Sequence, residues 1–212
     1  MWTRRVVLRK SFRVMLAGSA TNSFLWNFIA TSWAKARQLL PKGFSRLELK
    51  EMNPAEVDSR DLEIDPLDTF GTMGPTDVVV DIKAYRLKIS GKVKQPISLA
   101  YDEILQHPSI TENVLLICPG FFTNNGRWSG VSFRTLLMNA VIQRESKYLD
   151  VKGAYGKVVR ITLKDIDQKR IFLAYRVNGA PLPQKHGFPL RLVYEDAYGY
   201  DWVKYVEEIV IS

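Results

Sequence analysis

The chain has 212 residues, 46% hydrophobic and 25% charged, which is the composition of one folded domain with an extension and excludes a disordered or multi-span membrane protein. Its net charge of +8 is concentrated: residues 1–34 hold Arg4, Arg5, Arg9, Lys10 and Arg13 and no acid, leaving 25 basic against 22 acidic side chains elsewhere. That mildly basic body has no arginine-rich helix or aromatic sheet motif, so no nucleic-acid partner is expected.

The first residues read as an address. Thr3-Arg4-Arg5-Val6-Val7-Leu8-Arg9-Lys10 has paired arginines ahead of apolar residues, as in a twin-arginine export signal. A weakly hydrophobic stretch follows to Ala34, too polar for a confident transmembrane helix. Residues 1–34 are therefore assigned to an export signal and the protein to the periplasm. The alternative is a retained anchor or surface helix that associates with the membrane. Residues 35–75 are rich in turn formers and charge and read as an N-terminal arm and loop. Residues 76–212 read as the main folded domain.

Within that domain Tyr85-Arg86-Leu87-Lys88-Ile89-Ser90-Gly91 alternates and predicts a strand. Ser98 is expected to cap a short helix through Ile104-Leu105. Val114-Leu115-Leu116-Ile117-Cys118 is a continuous apolar run that suits a buried strand, broken by Pro119-Gly120 into a loop. Ser132 caps a helix over Phe133 to Met138. Lys157 to Leu163 and Ile171 to Val177 predict strands, the second ending in an Asn178-Gly179 turn, and Leu190–Tyr194 and Val206–Ile211 predict the last two. The fold class is α+β, mixed and strand-dominated, with short helices.

Cys118 is the single cysteine, so no intrachain disulfide forms. With only His107 and His186 beside it, the chain lacks the ligands of an ordinary zinc site, and a transition metal would take most of its ligands from a cofactor. A lone cysteine among Leu and Ile is ordinarily a small buried hydrophobe. A Cys–His nucleophile is the other conventional reading, which the histidine positions neither favour nor exclude. A second cluster follows: His186-Gly187-Phe188-Pro189-Leu190-Arg191 and then Trp202-Val203-Lys204. Arg offers a planar fork for phosphate, Lys a point charge, and imidazole a donor to an anion or heterocycle. These residues suit a pocket for a phosphorylated heterocyclic cofactor, or else are solvated charges between turns.

The ordered set is Val93 and Pro96 after the first strand, Tyr101-Asp102-Glu103-Ile104-Leu105, the Cys118 strand, Trp128-Ser129-Gly130-Val131, the Asn178-Gly179 turn, and His186 through Lys204. It resembles the molybdopterin-binding domain shared by sulfite oxidases, assimilatory nitrate reductases and the periplasmic methionine sulfoxide reductase catalytic subunit, from about Tyr85 to the C-terminus. The resemblance implies a molybdopterin-type molybdenum cofactor, with Cys118 as thiolate ligand to the metal. It places pterin and phosphate contacts on His186, Arg191, Trp202, Val203 and Lys204. A further polar contact falls on Thr162 to Asp165, with Asp165 the named candidate. The N-terminal cofactor loop falls near Asp68-Thr69-Phe70-Gly71, with Thr69 and Phe70 the candidates.

The family reaction implied is oxygen-atom transfer on a small molecule or an oxidised side chain. The alternative is a non-catalytic, degenerate binding module. Sulfite oxidases carry a basic residue soon after the cysteine, whereas here the next charge is Arg127, so an oxyanion substrate requires Arg127 or another arginine to fold in. With no Cys-x-x-Cys-His haem motif in the sequence, electrons are expected to pass to or from a separate protein, a cytochrome or membrane haem subunit.

Overall fold

Alternating apolar side chains make strands the commonest regular element of this molecule, and the computed structural model describes residues 37–212. The twin-arginine and anchor readings of residues 1–34 lie outside the described residues. In chain order the elements are β1 (Gln38–Leu39), α1 (Arg46–Leu49), β2 (Val57–Asp58), β3 (Arg86–Gly91), β4 (Ile97–Ala100), α2 (Tyr101–Gln106), β5 (Ile110–Cys118) and β6 (Phe122–Ser132). They continue with α3 (Phe133–Leu137), β7 (Tyr148–Gly153), β8 (Val158–Thr162), α4 (Leu163–Gln168), β9 (Ile171–Val177), β10 (Ala180–Pro181), β11 (Arg191–Tyr194) and β12 (Val206–Ile211). The α+β, strand-dominated class expected from the sequence is what forms. Among the described residues no helix is long and apolar enough to cross a membrane.

The strands form two five-stranded sheets and a two-stranded pair, β1 with β2. One large sheet has the order β10-β9-β6-β5, with β11 also paired to β9. The other has the order β4-β3-β12-β7-β8. Every pairing in the large sheets is antiparallel except β12 with β3. Leu87, Ile89, Leu149, Val151, Ile209 and Ile211 of the second sheet pack with Val131, Ile171, Leu173 and Leu192 of the first in one apolar core. Burying such side chains is worth roughly 1.5–3 kcal/mol each before entropy is charged against it.

Strand alternation gives the first sheet two distinct faces around β5. Leu115 and Ile117 point to one face, where Leu40, Leu49, Val57 and Leu62 of the N-terminal arm cover them. Val114, Leu116 and Cys118 point to the other, beside Trp128, Phe70, Phe172, Val193 and Trp202. The functional cluster is on this second face.

Two local expectations are corrected. The stretch after Cys118 is no extended loop: the backbone turns at Pro119–Phe121 and returns as β6, with Cys118 opposite Phe122. Ser98 lies in β4, and α2 begins after Ala100, whose backbone N–H donates to the Glu103 carboxylate at 2.7 Å. The Asn178-Gly179 turn forms as read. Both residues take positive φ, 52° and 83°, as a tight hairpin turn between β9 and β10 requires.

β6 crosses β9 through an irregularity between Ser129 and Gly130. A Cβ at Gly130 would lie 1.9 Å from the Leu173 carbonyl oxygen, so only glycine permits this approach. Strand alternation along β6 sends Val131 into the inter-sheet core and Trp128 to the Cys118 face.

Candidate active site

The sequence delivers a thiol and three basic side chains to one side of the first sheet. Cys118, the last residue of β5, is 6% exposed, and its Sγ lies 4.0 Å from Met73 Sδ. Burial pushes the thiol pKa up. Arg191 starts β11 opposite Ala174, which turns its side chain to the same face. Its guanidinium lies over the Trp128 ring at 5.7 Å and the Trp202 ring at 5.8 Å. The two indoles meet edge-on at 5.5 Å.

A cleft of about 180 Å³ opens here, lined by Cys118, Met73, Tyr155, Lys157, Arg191 and Lys204, with Trp202, Tyr200 and other residues completing the wall. It contains three cationic side chains and no carboxylate. Arg191 donates from Nη1 to the His186 backbone carbonyl at 2.9 Å, and its Nε has no partner. Burial pushes its pKa down to about 10.

Lys204 Nζ donates to Thr72 Oγ1 at 2.8 Å, the Pro75 carbonyl at 2.8 Å and the Lys185 carbonyl at 3.0 Å. Burial and the Arg191 charge lower its pKa to about 8. His186 is fully buried and neither ring nitrogen has a partner. Burial, and then the charges of Arg191, Lys185 and Lys204, lower its pKa to about 4. Gly187 makes this clustering feasible: at φ 109°, its absent Cβ would stand 2.8 Å from Lys204 Cβ.

The structure brings Cys118, Arg191, Trp202 and Lys204 to the cleft wall. His186 stands behind it, its ring edge-on to Phe70 at 5.9 Å, and Phe70 in turn packs on Trp128. The other expected residues lie elsewhere. Val203 packs into the inter-sheet core, its carbonyl accepting from the Leu192 N–H and its N–H donating to the Asp201 carbonyl, and does not line the cleft. Thr69 is exposed and donates to the Pro66 carbonyl at 2.7 Å; Thr72, three residues on, is the threonine that meets Lys204. Asp165 lies in the first turn of α4, where its carboxylate accepts from the capping Thr162 hydroxyl and pairs with Lys169, and it is absent from the cleft.

Arg127 is exposed and stands opposite Asn113. Alternation turns it to the face of β6 away from Cys118, so it does not fold in as a site cation. Sequence reasoning missed Tyr155, Lys157, Tyr200 and Met73, which line the cleft from distant turns.

A family model for the oxidoreductase molybdopterin binding domain matches residues 73–212. The chain belongs to this family. It is 28% identical over 133 residues to a proposed protein-methionine-sulfoxide reductase subunit, YedZ1, of Azospira oryzae, covering 63% of this chain and 51% of that protein. It is 25% identical over 163 residues to the mitochondrial sulfite oxidase of Rattus norvegicus, covering 63% and 30%. The solved sulfane dehydrogenase SoxCD of Paracoccus pantotrophus superposes with a TM-score of 0.60 at 20% identity, over 95% of this chain and 56% of that one. That likeness establishes the shared fold. The chain thus spans about half the length of YedZ1 and under a third of the sulfite oxidase.

The family is one of oxidoreductases built around a molybdenum–molybdopterin cofactor, and the residues present fit such a group. A buried guanidinium without a carboxylate and an ammonium held by neutral oxygens form an electropositive wall suited to a phosphate, and behind it stands an imidazole whose two ring nitrogens have no partner. Among the described residues no three His, Cys, Asp or Glu side chains are grouped as a metal site. Cys118 can therefore offer a metal one soft ligand, the remainder coming from the cofactor.

Proposed function

We propose that this chain is the catalytic domain of an exported mononuclear molybdenum oxidoreductase. It moves an oxygen atom to or from a small molecule or an oxidised side chain and exchanges electrons with a separate cytochrome or membrane haem protein. The observation that carries this reading is Arg191. A fully buried guanidinium with no counter-charge is costly by several kcal/mol, and a bound anion removes that cost. In this assignment Arg191 and Lys204 hold the cofactor phosphate, His186 donates to the phosphate or pterin, and the Cys118 thiolate holds the metal.

When bound, the cofactor supplies two-electron oxygen-atom-transfer chemistry. The chain's own residues bind, orient and shield. Trp128 and Trp202 enclose the guanidinium and exclude water from it. β5 fixes Cys118 at a strand end, where a rigid scaffold presents it to the cleft. Tyr155 and Lys157 form the part of the wall left to a substrate. The names of the relatives, a sulfoxide reductase subunit and a sulfite oxidase, support sulfur-centred oxygen transfer.

Cys118→Ser tests the assignment. A hard oxygen in place of the soft sulfur should abolish turnover and change the molybdenum paramagnetic spectrum. The fold should persist, with a loss of about 1–3 kcal/mol for a buried hydroxyl lacking a partner. Unchanged turnover with an unchanged spectrum would remove Cys118 from the metal. Export has its own test: Arg4→Lys with Arg5→Lys should retain the folded protein in the cytoplasm, because the address is read by a receptor and not as charge alone. Normal export of the double variant would contradict the address.

A further inference from the structure

The cleft has three cations, and the proposed cofactor contacts use two of them. The third, Lys157, reaches in from the turn between β7 and β8, with its side chain 33% exposed. Its nearest carboxylate is Asp201, at 3.9 Å, and its Nζ lies 5.8 Å from the centre of the Tyr200 ring. Tyr200 is 61% exposed and stacks on Tyr198 at 5.9 Å. The short helical turn Gly199–Asp201 that carries these groups is seated against β5: a Cβ at Gly199 would lie 2.8 Å from Leu116 Cδ2. Lys157 and its aromatic neighbour are thus held beside the strand that ends in Cys118.

We infer that Lys157 is the substrate-anion receptor of this cleft, so that the substrate carries an oxyanion that displaces Asp201 from Lys157 while its body rests against Tyr200. This rests on the function proposed above. An ion pair at 3.9 Å between partly exposed side chains contributes little. An oxyanion that takes the place of Asp201 meets Lys157 in a cleft whose other lining charges, Arg191 and Lys204, are also positive, and charge-assisted contacts of that kind are the strong ones. The cation that the sequence after Cys118 lacks is therefore supplied from 39 positions further along the chain, and Arg127 is not needed for it. The rim also selects by contact: Met73, Tyr155 and Tyr200 offer apolar surface to an organic oxyanion that an inorganic one leaves unused.

The test is sulfate binding by titration calorimetry, at fixed ionic strength, on protein purified from its own host with metal and pterin content measured. Lys157→Met should weaken sulfate binding about tenfold or more. Lys157→Arg should restore most of it. Asp201→Asn should tighten it, the opposite of what loss of a structural ion pair would do. Methanesulfonate should compete with sulfate, and its uncharged counterpart dimethyl sulfone should not. Tighter binding of methanesulfonate than of sulfate identifies an organic oxyanion, and the reverse identifies an inorganic one.

Fully loaded protein whose sulfate affinity ignores Lys157→Met, or falls in Asp201→Asn, overturns this inference and leaves the proposed function standing. Protein without molybdenum and pterin overturns both.

Discussion

Arg191 Nη1 donates to the backbone carbonyl of His186 at 2.9 Å, and that neutral oxygen is what the buried guanidinium has in place of a carboxylate. The arrangement links the turn before β11 to its first residue and leaves two kinds of buried side chain, an arginine and an imidazole, with nitrogens that have no partner. A core built for stability alone would hold apolar side chains here. The account therefore makes opposite forecasts for stability and for cofactor retention.

Arg191→Met should separate the two. Replacing a buried uncompensated charge with an apolar chain of similar length stabilises a cofactor-free fold by about 1–4 kcal/mol. For a domain of this size each kcal/mol raises the melting midpoint by about 2–4 °C. The same change removes charge-assisted contacts of about 1.5–3 kcal/mol each, about a tenfold to hundredfold loss of cofactor affinity. Melting of the cofactor-free variant and molybdenum per protein in the purified variant read the two quantities. Lower stability with full occupancy would make Arg191 a structural residue.

Lys204 should make cofactor retention depend on pH. Its pKa stands at about 8 in the ligand-free protein, and a phosphate partner favours the ammonium and raises it. Between those two values binding takes up a proton, so affinity falls as pH rises above about 8, by about tenfold per unit at most, and is flat with respect to Lys204 below about 7. Pterin lost on dialysis at pH 7 and pH 9 measures this. Lys204→Arg, charged throughout, should flatten the profile. An identical profile in the arginine variant would assign the pH dependence to another group.

Much of this was legible along the chain because local pattern and tertiary role agree. The apolar run ending at Cys118 is a strand, the Asn178-Gly179 pair is a hairpin turn, and His186, Arg191 and Lys204 converge as their order implied. β6 was hidden because Asn124, Asn125 and Gly126 look like turn formers. In the fold their side chains find backbone partners in the arm: Asn124 with Gly71, and Asn125 with Leu62 and Glu63. Those partners lie more than 50 residues away, beyond the reach of any local propensity.

The wall opposite Arg191 was hidden for the same reason. Tyr155 and Lys157 sit in the turn between β7 and β8; the alternation Leu149-Asp150-Val151-Lys152 marks the first of these strands, but only sheet pairing brings the turn to the cleft. Arg127 was misplaced because sequence proximity to Cys118 says nothing about sheet face. Cys118 and Arg127 are nine positions apart, but in an antiparallel hairpin the pairing Cys118–Phe122 fixes which of them share a side.

The central claim is that Arg191 and Lys204, cations that line the cleft with Cys118, exist to hold a molybdopterin. The most direct measurement is the molybdenum and pterin content, by elemental and fluorescence analysis, of protein purified from its own host under conditions that retain bound cofactors. The account predicts one molybdenum and one pterin per chain, both reduced in parallel by Arg191→Met. A well-folded chain with neither, and unchanged by that substitution, would contradict it.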